Sequence, residues 1–113
     1  METLTRNGDF RRAYARGKSF AHPALVTYTL RNRAGVCRFG ITASKKLGNA
    51  VQRNRCRRVI SEALRTLDEP IRGNWDLVFV ARARTKDIKS TQLREIMRGH
   101  LRKAGAIAPG EGK

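Results

Sequence analysis

The run from Trp75 to Ala83 is nearly continuous apolar sequence: Trp75, Leu77, Val78, Phe79, Val80 and Ala81. A strand with one wet face alternates apolar and polar residues, so an unbroken run predicts a strand buried on both faces. Hydrophobic residues make up 40% of the 113-residue chain, enough for one small core and too many for a disordered basic segment.

The other elements follow from periodicity and punctuation. Residues 7–16 predict a short helix, with Asn7 as N-cap, Asp9 in the first turn and Gly17 as the stop. Phe10 and Tyr14 are one turn apart on it and share a face. Residues 18–30 predict a short strand, a break at Pro23 and a longer strand, Ala24–Leu30. Val26, Tyr28 and Leu30 point to one side of that strand, and Leu25, Thr27 and Thr29 to the other. After a turn over Arg31–Gly35, Val36–Ala43 returns as a strand with Cys37, Phe39, Ile41 and Ala43 on one face. The two runs and their Gly-containing turn predict a hairpin. A loop capped by Asn49 leads into a helix that ends near Asp68-Glu69-Pro70, and residues 90–103 predict a final helix with Leu93, Ile96, Met97 and Leu101 on one side. The order α-β-β-β-α-β-α makes an α+β domain over residues 1–104, a four-stranded sheet packed with helices. Residues 105–113, rich in glycine, are expected to be a flexible tail.

The helix over residues 50–65 carries two patterns. Cys56, Val59, Ile60, Ala63, Leu64 and Leu67 recur at steps of three and four, a core-facing stripe. Between them stand Arg53, Arg55, Arg57, Arg58 and Arg65 against one acid, Glu62. Like charges one turn apart repel by a few tenths of a kcal/mol, roughly 0.2–0.5 per pair, so helix stability does not account for them. The whole chain shares the bias, with 25 Lys and Arg against 9 Asp and Glu and a net charge of +16. Such a charge selects partners, and nucleic acid comes first because neutralised phosphates release condensed counterions. Most of the bases are arginine, whose planar fork suits bidentate phosphate contact. A membrane surface ranks lower: there is no long apolar run, no signal peptide and no polybasic tail beside an apolar helix. An acidic protein partner ranks lower still.

Side-chain catalysis is poorly supplied. The acids are scattered, and Glu62 reads as an ion-pair partner rather than a metal ligand. His22 and His100 stand alone in different elements. A metal-dependent nuclease gathers several carboxylates, and no such group is visible. Cys37 and Cys56 lack a CxxC pattern and ligand-spaced histidines, and read as buried, reduced thiols of a cytosolic protein. Phe10, Tyr14 and Tyr28 could form a platform on which unpaired bases stack, or could simply pack helix against sheet.

The stretch from Ser44 to Arg58, SKKLGNAVQRNRCRR, resembles the signature of the bacterial ribonuclease P protein subunit, S-K-K-x-G-x-A-V-x-R-N-R-x-K/R-R. Supporting similarities lie at Leu4, Asp9-Phe10, Tyr14 and Gly17, at Arg38-Phe39-Gly40-Ile41, and at Trp75-Asp76-Leu77-Val78. The resemblance implies a ribosomal-protein-like fold with a left-handed β-α-β crossover, against the usual hand. It implies that Arg53, Asn54, Arg55, Arg57 and Arg58 face a catalytic RNA, one protein per RNA. It further implies a cleft, with Phe10, Tyr14, Val26 and Tyr28 inside and Lys45 and Lys46 at its edge, for the single-stranded 5′ leader of precursor tRNA. In that family the RNA, with Mg²⁺ held mainly by RNA and substrate, performs the hydrolysis in the cytoplasm. Ser61 departs from the pattern, which commonly carries a base there in a continuation resembling L/I-R-E. That contact is then missing or supplied by Arg65, one turn on. A structural ribosome-associated RNA-binding protein explains charge and fold but not the full signature. A self-sufficient nuclease is disfavoured by the carboxylates, and a helix-turn-helix DNA reader by the strands flanking the basic helix.

Overall fold

The computed structural model describes residues 1–109. Its elements run β1 (Glu2–Thr3), α1 (Asn7–Arg16), β2 (Lys18–His22), β3 (Leu25–Arg31), β4 (Arg38–Thr42), α2 (Ala50–Arg65), β5 (Trp75–Ala81) and α3 (Ser90–Ala104), with 3-10 turns at Lys45–Leu47 and Ala83–Asp87. The α+β class stands, but the sheet has five strands, in the order β1-β4-β5-β3-β2. The strand missed is β1, whose two residues are too few to show any alternation.

Burial on both faces puts β5 in the middle of the sheet. It pairs antiparallel with β3 from Leu25↔Ala81 to Arg31↔Trp75, and parallel with β4 from Arg38↔Asp76 to Thr42↔Val80. This overturns the expected hairpin between Ala24–Leu30 and Val36–Ala43: the two strands lie on opposite sides of β5. The turn between them must span two strand spacings, about 10 Å, and it is draped over the start of β5. Asn32 donates its backbone N–H to the Asn74 carbonyl (2.9 Å) and its side-chain amide to Asp76 Oδ1 (2.7 Å) and the Val36 carbonyl (3.2 Å). The real hairpin is β2–β3, closed over Pro23 and Ala24, with the Ala24 N–H donating to His22 Nδ1 at 3.0 Å.

Alternation along β3 and β5 sends side chains to two separate cores. Leu25, Leu77, Phe79 and Ala81 face α2 and α3, meeting Cys56, Ile60, Ala63, Leu93, Met97 and Leu101. Val78 faces the other way, toward Leu4 and Ala13, with Phe10, Tyr28 and Val80 packed around them. Thus α1 lies on one side of the sheet and the basic helix α2 on the other.

The caps are mostly those expected. Asn49 Oδ1 accepts from the Gln52 N–H and Gln52 Oε1 accepts from the Asn49 N–H, both at 3.0 Å, a reciprocal capping box for α2. Asn7 does not cap α1; Arg6 holds that position without a side-chain bond. At the end of α3, Gly105 takes φ 85°, and the Gly105 and Ala106 N–H groups donate to the Arg102 and Leu101 carbonyls. This Schellman closure turns Ala106 and Ile107 back into the core, both fully or almost fully buried. A flexible tail therefore does not begin at 105; residues 110–113 lie outside the described part. His100, given no catalytic role, is a core residue: it is buried, hydrogen-bonded through Nδ1 to Thr27 Oγ1 (2.8 Å) and stacked on Phe20. Cys37 is half-buried and Cys56 buried, both free, and burial pushes both thiols up.

Candidate nucleic-acid interface

Strand register arranges the α1 side of the sheet in three rows. Arg38, Asp76 and Leu30 form the first; Gly40, Val78, Tyr28 and Ser19 the second; Thr42, Val80, Val26 and Ala21 the third. α1 covers the first two. Phe10 lies over Gly40, where a Cβ would come within 2.5 Å of its ring carbons Cε1 and Cζ. Tyr14 meets Tyr28 edge-to-face, with centroids 5.0 Å apart and planes at 77°. The third row is only partly covered: Val80 packs against the Leu4–Ala13–Val78 cluster, yet Thr42, Val80 and Val26 are half-buried and Ala21 is exposed. The result is an apolar shelf walled on one side by the Tyr14–Tyr28 pair, with Tyr14 41% exposed.

α1 is fastened to the sheet by charge. Arg38 donates Nε and Nη2 to the two carboxylate oxygens of the wholly buried Asp76, both at 2.8 Å, and its Nη1 lies 3.6 Å from Asp9 Oδ2 on α1. Arg12 adds a 3.3 Å contact to the other Asp9 oxygen. Asp76 holds Arg38 firmly in its charged form. A buried carboxylate needs such a partner. The reading from sequence missed this tether. The signal was available, since Asp76 is an acid inside a strand buried on both faces.

On the far side of the sheet, Cys56, Val59, Ile60 and Ala63 define the inner face of α2. At about 100° per residue, Asn54, Arg58, Ser61 and Arg65 project away from that face. Arg53 and Arg57 fall toward the β4 flank and Arg55 toward the other. Asn54, Arg57 and Arg58 line one shallow surface hollow together with Val51, which is 72% exposed. Arg55, Arg58 and Ser61 line a second groove with Lys89, Ser90 and Thr91 at the start of α3. Not all of these cations are equally available. Arg55 Nε donates to the Lys86 carbonyl at 2.7 Å, and Arg53 is half-buried. Arg65 is engaged by Glu62 (2.6 and 3.2 Å), whose carboxyl its hydrogen bonds hold below the usual range. Lys45 and Lys46, exposed in the 3-10 turn, begin three residues after Thr42. They stand where the chain passes around the sheet from the apolar shelf to α2. The structure thus gathers Phe10, Tyr14, Val26 and Tyr28 on one side and the arginines on the other, with the two lysines at the rim between.

Among the described residues no group of three or more His, Cys, Asp or Glu side chains could hold a metal ion. Asp9 and Asp76 are already paired with cations, Asp76 with Arg38 and Asp9 with Arg12 and Arg38.

The family model for ribonuclease P matches residues 1–105. A ribonuclease P protein component from Clostridioides difficile is 49% identical over 85 residues, 74% of this chain and 75% of that protein. One from Clostridium botulinum is 40% identical over 103 residues, 90% of this chain and 93% of that protein. Among solved structures, the RNase P protein of Staphylococcus aureus superposes with a TM-score of 0.79 at 34% identity, covering 94% of this chain and 97% of that one. The protein from Thermotoga maritima gives 0.77 at 25% identity, over 91% and 97%. With its basic helix, its aromatic shelf and a family match over nearly its whole length, the chain belongs to the ribonuclease P protein family.

Proposed function

We propose that this chain is the accessory subunit of a ribonuclease P ribonucleoprotein, and that its two surfaces divide the work. The outward arginines of α2, Arg57 and Arg58 with Asn54, bind phosphates of the catalytic RNA, with Arg53 and Arg55 supporting them from the flanks. An exposed ion pair such as Arg65–Glu62 is readily exchanged for a phosphate, so Arg65 can supply the contact that Ser61 does not. The shelf beside Tyr14 and Tyr28 receives the single-stranded 5′ leader of precursor tRNA. Bases stack on aromatic faces while Lys45 and Lys46 attract the backbone. The RNA performs the hydrolysis, and Mg²⁺ is held by RNA and substrate. This chain raises substrate affinity without donating a catalytic side chain. One copy per RNA and a cytoplasmic setting complete the proposal; no helix among the described residues is long and apolar enough to cross a membrane.

The observation that carries this reading is the half-buried third row of the sheet, an apolar shelf bounded by a half-exposed tyrosine pair and rimmed by lysines. The test is cleavage of precursor tRNA in low Mg²⁺ by a bacterial ribonuclease P RNA, with and without this chain. Cleavage that depends on both components supports it. Cleavage by the protein freed of RNA, or co-purification with ribosomes and no effect on processing, overturns it.

A further inference from the structure

A second set of arginines stands at the opposite end of the sheet from Lys45 and the start of α2. Arg31 closes β3 opposite Trp75, Arg33 follows in the turn draped over β5, and Arg72 lies in the loop that leads into β5. All three are exposed, and none makes a side-chain hydrogen bond or ion pair among the described residues. The seven residues of β5 put roughly 20 Å between this end and the other.

The site is built rather than merely charged. The Arg31 guanidinium lies over the Trp75 ring, 4.7 Å from its centroid. Trp75 is itself buried, and its indole N–H donates to the Arg72 carbonyl at 2.6 Å, fixing the loop against the start of β5. Gly73, at φ 90°, folds the loop close over this stack: a Cβ there would lie 3.4 Å from Trp75 Nε1 and 3.8 Å from Arg31 Nη1. The Arg72 N–H is anchored to the Ala106 carbonyl at 2.6 Å. A guanidinium already stacked loses less freedom on meeting a phosphate than a free one. Among the described residues, Asp68, four residues before Arg72, is the one acid of this loop without an ion-pair partner, one charge against three. Asp76 is buried and taken by Arg38 and Asn32, Glu69 is engaged by Arg98 and Arg102, and Glu2 lies three strand spacings from Arg31, about 14 Å and beyond a Debye length in physiological salt.

We infer that Arg31, Arg33 and Arg72 form a second phosphate-binding surface for an RNA backbone, separate from the α2 face. It rests on the proposed role as an RNA-bound subunit and adds a contact that α2 alone cannot reach. The ligand chemistry is a ribose-phosphate backbone, from the catalytic RNA or from precursor tRNA.

The test compares the wild-type chain, the triple variant Arg31→Gln/Arg33→Gln/Arg72→Gln, the double variant Arg33→Gln/Arg72→Gln, which spares the Trp75 stack, and Arg57→Gln/Arg58→Gln on α2. Affinity for a ribonuclease P RNA, and for precursor tRNA in the assembled holoenzyme, is measured against salt. Three phosphate contacts predict that the slope of log affinity against log salt falls by about 2–3 in the triple variant and 1–2 in the double. A loss with the RNA alone assigns the surface to the catalytic RNA, and a loss only with precursor tRNA assigns it to substrate. Unchanged slopes for the double variant, or equal losses on an unrelated RNA hairpin, overturn the inference. The α2 variant separates the two ideas: if it alone weakens binding, the distal surface fails while the proposed function stands.

Discussion

Phe10 and Gly40 touch across the interface between α1 and the sheet, and the helix can lie this close only because position 40 has no side chain. Adding a methyl group at Gly40 must push either the ring or the helix outward. Gly40→Ala is expected to cost about 1–3 kcal/mol, the usual range for overpacking, read from chemical denaturation. Combining it with Phe10→Leu should recover part of that loss. A double variant less stable than either single change would show that the ring is not what the methyl meets.

Asp76 and Arg38 hold the same interface by charge. Asp76→Asn keeps the shape but leaves Arg38 partly buried with only the more distant Asp9 as partner. The expected loss is about 3 kcal/mol, since breaking a buried pair costs more than the pair is worth. Because Asp9 belongs to α1, leader-dependent affinity should fall along with stability in Asp76→Asn. Thermal unfolding and precursor-tRNA binding measure the two, and a loss of stability without a change in binding would detach the tether from the shelf.

His100 gives the fold a pH dependence. Burial lowers its folded-state value to about 4, from 6.5. Between those values the unfolded chain binds the extra proton, so His100 stability is complete above about 6.5 and is lost as pH falls toward 4. The total is on the order of 3 kcal/mol. Glu62, Glu69 and Glu95, whose carboxyls are held below the usual range by arginines (for Glu69 against a larger opposing effect of burial), add losses in the same direction below about 4.5. His100→Gln should flatten the stability profile between pH 4.5 and 6.5, and a profile unchanged in that window would remove His100 from the account.

What the sequence disclosed, and what it hid, divides along physical lines. The stripe of Cys56, Val59, Ile60 and Ala63, the Asn49 cap and the doubly buried β5 were all legible, because periodicity and capping are local. Strand partners were not. The Arg31–Gly35 turn looks like a hairpin, yet β5, forty residues on, needs a neighbour on each side and takes the place between β3 and β4. The Schellman closure at Gly105 is hidden in a stretch that reads as flexible tail, because Ala106, Ile107 and Ala108 are a short apolar run among glycines with no period to mark it. In the site, the segregation of arginine from the apolar stripe was plain, as was the shared face of Phe10 and Tyr14. That Phe10 would be spent on Gly40 while Tyr14 stays half-open depends on register, which no local pattern carries.

The measurement closest to the central claim is the affinity of the assembled holoenzyme for leader-bearing precursor tRNA and for mature tRNA, with wild-type chain and with Tyr14→Ala. Tyr14 is exposed enough that its loss should leave the fold intact. One lost stacking contact of roughly 1–3 kcal/mol predicts about 5- to 150-fold weaker binding of the precursor, with mature tRNA changed less than about twofold. Equal losses for both ligands, or none for either, would contradict the account.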